Sequence, residues 1–445
     1  MGERLEEPQH GERKEEGNRD LGRRLPGREL HGRRGHLCPP RRGGAVAGAA
    51  VWVSFAFGGF IAGLLGYVVA RLGVRYPSSG GLMAYLSEGF GSRRIPGIGA
   101  WMFYFAGLIV AAMVALAFGN YGAAIIFGES APLIWAKILG TIMVIVITAV
   151  VILGAEAVIR LQSIIAIITL SIFAIFIVAT VSQLHVAYLS PSNYAPARSV
   201  VSAVALTFFA YLGFSVVSFA TADMRDPART LPRAMYLSIG IATAVFVLVS
   251  LGVFGSLPVD QVIAHGNIAL AVAAIPVLGQ AGFFMMAIAA LISCTACTNS
   301  NLYAAGNVTR DMAERREFPG FFGGRSRVGG PRGVVISSVL VLLLLNFLNL
   351  AAIASLGSAV ALIIFLVVCA AAFVLREETG TRAWILVLTA ALTAIVLVLF
   401  IIDLIGSEPA TVVYIFITAA LAVVLDAVWR RVKARRQQAE TSSPA

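Results

Sequence analysis

The residues best placed to do chemistry lie in one stretch, 204–234, which reads VALTFFAYLGFSVVSFATADMRDPARTLPRA. Its first nineteen residues, 204–222, carry no charge, close to the roughly 20 needed to cross the hydrocarbon core of a bilayer. They are poorly suited to an uninterrupted helix. Gly213 sits near the middle, and glycine in a helix interior costs about 1 kcal/mol relative to alanine. The small Ala210, Gly213 and Ser215 would let backbone or ligand come close, and Phe208, Phe209, Tyr211 and Phe214 flank the weak point with aromatic faces. A helix broken around 210–213 would offer N–H and C=O groups for non-covalent binding. After Ala222 the chain turns charged, with Asp223, Arg225, Asp226, Arg229 and Arg233 punctuated by Pro227 and Pro232. That reads as a membrane exit on the cytoplasmic side, against the plainer reading of a packing helix followed by a solvated loop.

Covalent chemistry finds no support in the apolar body. It holds no Ser-His-Asp set, metal-ligand cluster, phosphate-binding glycine loop or carboxylate pair, so no catalytic residue, metal or cofactor is expected. Asp403 is read as the one carboxylate near a span, and it sits at an end. Cys38, Cys294, Cys297 and Cys369 give no disulfide framework, and Cys294-x-x-Cys297 falls inside an apolar segment, where a structural role is expected. With 58% hydrophobic and 13% charged residues, the chain is an integral membrane protein with no room for a sizeable soluble domain. The net charge of +11 is scattered among membrane-flanking loops and does not indicate a nucleic-acid partner.

Apolar runs predict eleven spans, at 45–70, 98–127, 132–153, 157–181, 200–222, 235–256, 270–304, 334–348, 350–375, 383–403 and 410–429, with a short helix around Tyr85. Gly59-x-x-x-Gly63 in the first predicts close helix packing. Arginines concentrate in alternate loops, at 71–94, 160, 225–233, 310–332, 376–382 and 430–436. The positive-inside bias places these in the cytoplasm, together with the basic tail 430–445. The intervening loops carry Glu129, His185, Asp260 and Glu408 and face outward.

The run F-F-A-Y-x-G-F over 208–214, followed by D-x-R-D-P-x-R-x-x-P-R-A over 223–234, resembles the sixth membrane helix and following loop of amino acid permeases in the amino acid-polyamine-organocation superfamily. The resemblance covers 45–429, the predicted membrane domain. It implies an all-α polytopic membrane fold, a five-plus-five inverted-repeat (LeuT-like) transporter with two further C-terminal helices. In that family the sixth helix is broken in mid-membrane and lines the substrate site, which implies substrate binding by Phe209, Ala210, Tyr211, Gly213, Phe214 and Ser215. Some relatives carry a lysine on the fifth helix in the cation-site region; the matching position here is Thr169. Thr169, Ser300 and Asn301 are the candidates for the translocation path, the alternative for Ser300, Asn301 and Asn307 being hydrogen bonds to a neighbouring helix.

The family has twelve helices, and the one without a counterpart is the first. The alternating charges also put the amino end of span 45–70 outside, which would strand the eleven Lys/Arg residues of 1–44 on the wrong side. Three lysines (Lys14, Lys137 and Lys433) stand against 31 arginines, a usage that suggests GC-rich coding DNA. Reading permitted codons for 30–44 from the second base yields S-M-G-A-G-A-I-F-A-L-L-G-V-A, similar to the family's glycine-broken first helix. Residues 1–44 are therefore expected to be a frameshifted stretch, the alternative being a genuine polar tail.

The expected function is secondary active transport of an amino acid or related amine across the cell (plasma or inner) membrane by alternating access, with H+ or Na+ as possible coupling ion. The alternatives are a non-transporting sensor or receptor, or a truncated inactive permease. A membrane enzyme would need a polar catalytic cluster, and a channel would show repeated polar pore-lining positions.

Overall fold

The computed structural model describes residues 47–441 apart from 79, 92–93, 154–155, 315–316, 325 and 327–330; the expectations for 1–44 fall outside these. In chain order the helices are α1 (Val51–Arg75), α2 (Gly81–Phe90), α3 (Arg94–Phe127), α4 (Leu133–Leu153), α5 (Glu156–Val181) and α6 (Ala197–Phe208). A 3₁₀ helix over Phe209–Asp223 prolongs α6. There follow α7 (Pro227–Ser256), the short α8 (Val259–His265) and α9 (Ala269–Val272), α10 (Ile275–Glu314), α11 (Arg332–Phe347), α12 (Leu350–Val374), the short α13 (Arg376–Thr379), α14 (Ala383–Ser407) and α15 (Pro409–Thr441). Among the described residues the sole β pairing is one bridge, Gly48 to Tyr194. It occupies the residues just before Val51, which is why the first helix starts later than its apolar run.

Ten of these helices are long and apolar enough to cross a membrane, α6 with its 3₁₀ extension being one. The eleventh apolar helix, α11, has 16 residues, roughly 24 Å at 1.5 Å per residue. The spans sort into layers by burial. Two-thirds of the most apolar window of α12 is buried against protein (67%), against 11% for α5, so α12 is a central post and α5 a lipid-facing one. Helix starts follow local chemistry: Asp226 accepts a hydrogen bond from the Arg229 N–H at the head of α7, with Pro227 in the first turn. Asn349 does the same for the Ala352 N–H at 2.7 Å, starting α12.

The two ends of the bundle differ in charge. At one end the loops after α1, α6 and α12 meet: the Tyr76 hydroxyl donates to Glu378 at 2.5 Å, Arg71 donates to the Gly380 carbonyl at 2.9 Å, and Ser78 exchanges hydrogen bonds with Thr221. This end gathers the arginine-rich loops. At the other, the His185 N–H donates to the Gly255 carbonyl at 3.0 Å, and His265 Nδ1 lies 3.2 Å from Glu129.

Two helix seams depend on the absence of a side chain. Along α1, Gly59 lies against Thr243, Gly66 against Ile239 and Gly73 against Leu231, so a seven-residue glycine repeat seats this helix on α7. The expected Gly59–Gly63 pair is half right, because a Cβ at Gly63 would meet nothing within 4 Å. The seam advances two helical turns at a time, which turns Gly63 off its axis. Where α3 crosses α4, a Cβ on Gly119 would stand 2.6 Å from the Ala136 carbonyl carbon, and one on Gly140 would stand 2.7 Å from the Ala115 oxygen. The obstacles there are backbone, which cannot swing aside.

Asp403 is not the only carboxylate on a span. Asp426, on α15, is 3% exposed and takes both oxygens to Arg430 Nε, at 3.1 and 2.9 Å, beside Gly97 of α3. A carboxylate there persists because its partner lies one turn away, at i+4.

Gly119→Ala is expected to lower stability by about 1–3 kcal/mol, the usual cost of forcing extra atoms into a packed crossing. Gly107→Ala on the same helix, where a Cβ meets nothing within 4 Å, is expected to be neutral or mildly stabilising. Thermal unfolding of the two detergent-purified variants side by side is the check, and equal curves would refute the tight crossing.

Candidate functional site

Helix six, α6 together with its 3₁₀ extension, changes winding along its length. The α-helix ends at Phe208, and fifteen residues of 3₁₀ helix follow, where runs longer than three or four residues are uncommon. The backbone is tightened and not opened: Phe208 and Phe209 both keep helical angles. With three residues per turn, side chains at i and i+3 eclipse. Ala210, Gly213 and Val216 therefore form one row, and all three are exposed, while Tyr211, Phe214, Ser215 and Ser218 on the other faces are buried.

At the head of that row lies a cavity of about 490 Å³, within the range of small-molecule sites. Helix six supplies Leu206, Thr207 and Ala210, α1 supplies Val51 and Phe55, and α3 supplies Met113 and Ala117. The far wall is Phe246 to Phe254 of α7 with Leu350 to Ala354 of α12, and residues of the α8–α9 segment, among them Val262 and Asn267, form the roof. The cavity thus occupies the half of the bundle away from the arginine-rich loops. The His265–Glu129 contact holds the roof segment to the loop after α3.

Of the six residues expected to bind substrate, Ala210 lines this cavity. Tyr211 stands behind its wall: its hydroxyl donates to the Phe55 carbonyl at 2.8 Å and its ring meets Phe246 edge-on at 5.3 Å. Phe209 turns away onto Gly357 of α12. Phe214 stacks on Phe365 at 5.4 Å, and the Ser215 hydroxyl donates to the Leu212 carbonyl at 2.8 Å. At Gly213 the expected close approach is not found, since a Cβ would meet nothing within 4 Å; the row it belongs to is open.

The three path candidates lie elsewhere. Thr169 shares a hydrogen bond with Ser293 at 3.1 Å, joining α5 to α10. Ser300 donates to the Ala296 carbonyl and Asn301 to the Cys297 carbonyl, each at 2.9 Å, so both bond their own helix. Asn307 accepts from Arg310 at 3.1 Å. What the sequence reading missed are Thr207, whose hydroxyl donates to the Ser54 and Val204 carbonyls, both at 3.1 Å, and the aromatic pair Phe55–Phe246 at 5.3 Å. The one available signal for Thr207 was its position, three residues before Ala210 on the same face.

A bundle of membrane-length helices around a cavity with no charged side chain among its described lining residues fits a transporter of small molecules. The sequence model of the amino acid permease family matches residues 42–429, and the chain belongs to that family. Its fold is accordingly the all-α, LeuT-like transporter fold, and it is a multi-pass membrane protein. Among similar proteins, the inner membrane transport protein YbaT of Escherichia coli is 32% identical over 388 residues, 86% of this chain and 90% of the relative. The methylthioribose transporter of Bacillus subtilis is 24% identical, covering 75% of each chain. The serine/threonine exchanger SteT of the same organism is 25% identical over 62% of this chain and 63% of its own.

Tyr211→Phe removes one hydrogen bond and leaves the Phe55 carbonyl without that donor. The expected loss is about 1 kcal/mol of stability, with a rise in the half-saturation concentration for uptake because Phe55 is part of the cavity wall. Paired thermal unfolding and uptake measurements test this; unaltered values in both would detach Tyr211 from the wall.

Proposed function

We propose that the cavity at Thr207–Ala210 receives an amino acid or related amine, and that the row Ala210–Gly213–Val216 begins its path through the protein. The observation that carries this reading is the junction itself: among the described residues the 3₁₀ segment lines the cavity with Ala210, whose side chain is a single methyl, so ligand can approach the backbone where α6 ends. The substrate's ammonium group is placed against the hydroxyl oxygens of Thr207 and Ser250, which donate elsewhere but can still accept.

Alternating access needs one side closed while the other is reachable. Below the cavity, toward the arginine-rich loops, Phe214 on Phe365 and Phe208 edge-on to Phe365 fill the interior, and Thr221 is tied to Ser78. In this reading the arginine-rich end and the tail 430–445 are cytoplasmic, and the cavity is reached from outside the cell membrane. Coupling to H+ or Na+ belongs to the same proposal, with Thr169, Ser300 and Asn301 as the polar groups along its path.

Ala210→Trp should abolish uptake into proteoliposomes, a loss of at least about tenfold (1.4 kcal/mol or more), while the protein still inserts and purifies as a single species. Ala210→Cys should react with an impermeant thiol reagent from outside, and excess substrate should protect it. Full uptake by the tryptophan variant would remove the cavity from the transport route.

A further inference from the structure

We infer that the substrate is a neutral amino acid with a bulky apolar side chain, branched aliphatic or aromatic. This rests on the reading that the cavity is the substrate site, and adds to it the class of side chain the site selects. Among the described residues no Asp, Glu, Lys, Arg or His lines the cavity. A charged substrate side chain would therefore enter an apolar chamber with no counter-charge, and burying an unpaired charge is among the costliest events in protein interiors. The lining's own polar side chains are Thr207, Ser250 and Asn267.

Two of those three have their protons committed. Thr207 donates to the Ser54 and Val204 carbonyls, and Ser250 donates to the Val247 carbonyl at 2.8 Å. Both hydroxyls can still accept, but neither is free to donate. Only the Asn267 amide, on the roof, is left to recognise a polar side chain, so a serine- or glutamine-like substrate would find its hydrogen bonds poorly replaced. The rest of the surface is built for apolar contact. Phe55 and Phe246 present tilted rings 5.3 Å apart, with Phe254 and Met113 beside the same space. Aromatic rings and a thioether adapt to branched or planar groups, and a volume of about 490 Å³ leaves room for a large side chain.

The test uses the full chain reconstituted in proteoliposomes. Uptake of radiolabelled leucine is competed with unlabelled phenylalanine, serine, lysine and glutamate, and the same five amino acids are tried as thermal stabilisers of the purified protein. Phenylalanine should compete at least tenfold more strongly than lysine, glutamate or serine, and leucine and phenylalanine should give the largest thermal shifts. Ala354→Asp, which places a carboxylate in the wall, should weaken leucine at least tenfold and admit lysine; Phe254→Leu should weaken phenylalanine more than leucine. If transport occurs but lysine, glutamate or serine competes as well as phenylalanine, the side-chain class is wrong and the transport reading stands. If leucine uptake persists in Ala210→Trp, the class was inferred from the wrong cavity. If no amino acid is taken up by or stabilises the monodisperse wild-type protein, the underlying reading fails and this inference with it. Should Ala354→Asp not fold, the wild-type competition series decides alone.

Discussion

A peptide group inside hydrocarbon has no water to turn to, and an unpaired N–H or C=O there costs several kcal/mol. That constraint governs the polar chemistry of the spans. Hydroxyl groups on them fold back onto their own helix: Thr148 onto the Val144 carbonyl, Thr180 onto Phe176, Ser218 onto Ser215, Thr393 onto Thr389. The same demand explains the form taken by helix six. A binding site made by opening the chain would strand backbone groups, whereas tightening from α to 3₁₀ keeps an i→i+3 bond available to each residue while re-aiming the side chains. The 3₁₀ period lines up Ala210, Gly213 and Val216 on one side and leaves Tyr211 and Phe214 to pack on the other.

Hydropathy made the spans readable, since apolar length is a local property and the loops are short. The helix around Tyr85, the charged exit after Ala222 and the alternation of arginine-rich loops were open to the same kind of reading. Faces were not. Gly59 and Gly63 look alike in sequence, but which one meets α7 depends on the angle at which two helices separated by more than a hundred residues cross. Asp426 escaped notice because its neutralising partner, Arg430, falls at the edge where a span is expected to end. The aromatic residues of 208–214 stand together in sequence, yet their division between cavity wall and core follows from the switch in winding at Phe209, which no single residue announces. The cavity itself is assembled from α1, α3, helix six, α7, α12 and the α8–α9 segment, so its lining exists only in three dimensions.

The placement of small residues also separates what can move from what cannot. Gly59, Gly66 and Gly73 lock α1 to α7, and Tyr211 ties helix six to α1 through the Phe55 carbonyl. Gly119 and Gly140 lock α3 to α4 with backbone against backbone. The α3–α4 interface is stiff, because displacement there meets backbone atoms that cannot rotate away, whereas α1 meets α7 through the side chains of Thr243, Ile239 and Leu231. Between these two sets the contacts are of another kind. Phe214 lies on Phe365 of α12 as stacked rings, and Phe208 meets the same ring edge-on.

Stacked rings can slide at a cost of about 1 kcal/mol. Interlocked backbones cannot. In the proposed cycle the body formed by α1, helix six and α7 therefore shifts against the body of α3, α4 and α12, with the aromatic layer at Phe365 as the surface that parts. The cavity lies between these bodies on the side away from the arginine-rich loops, and the row Ala210–Gly213–Val216 runs from it toward that layer. Separation of Phe214 from Phe365 would extend the row to the other end without breaking a helical hydrogen bond. The 3₁₀ winding keeps the backbone satisfied in the membrane, and in the proposed cycle the face of Ala210, Gly213 and Val216 is the one along which a ligand would travel.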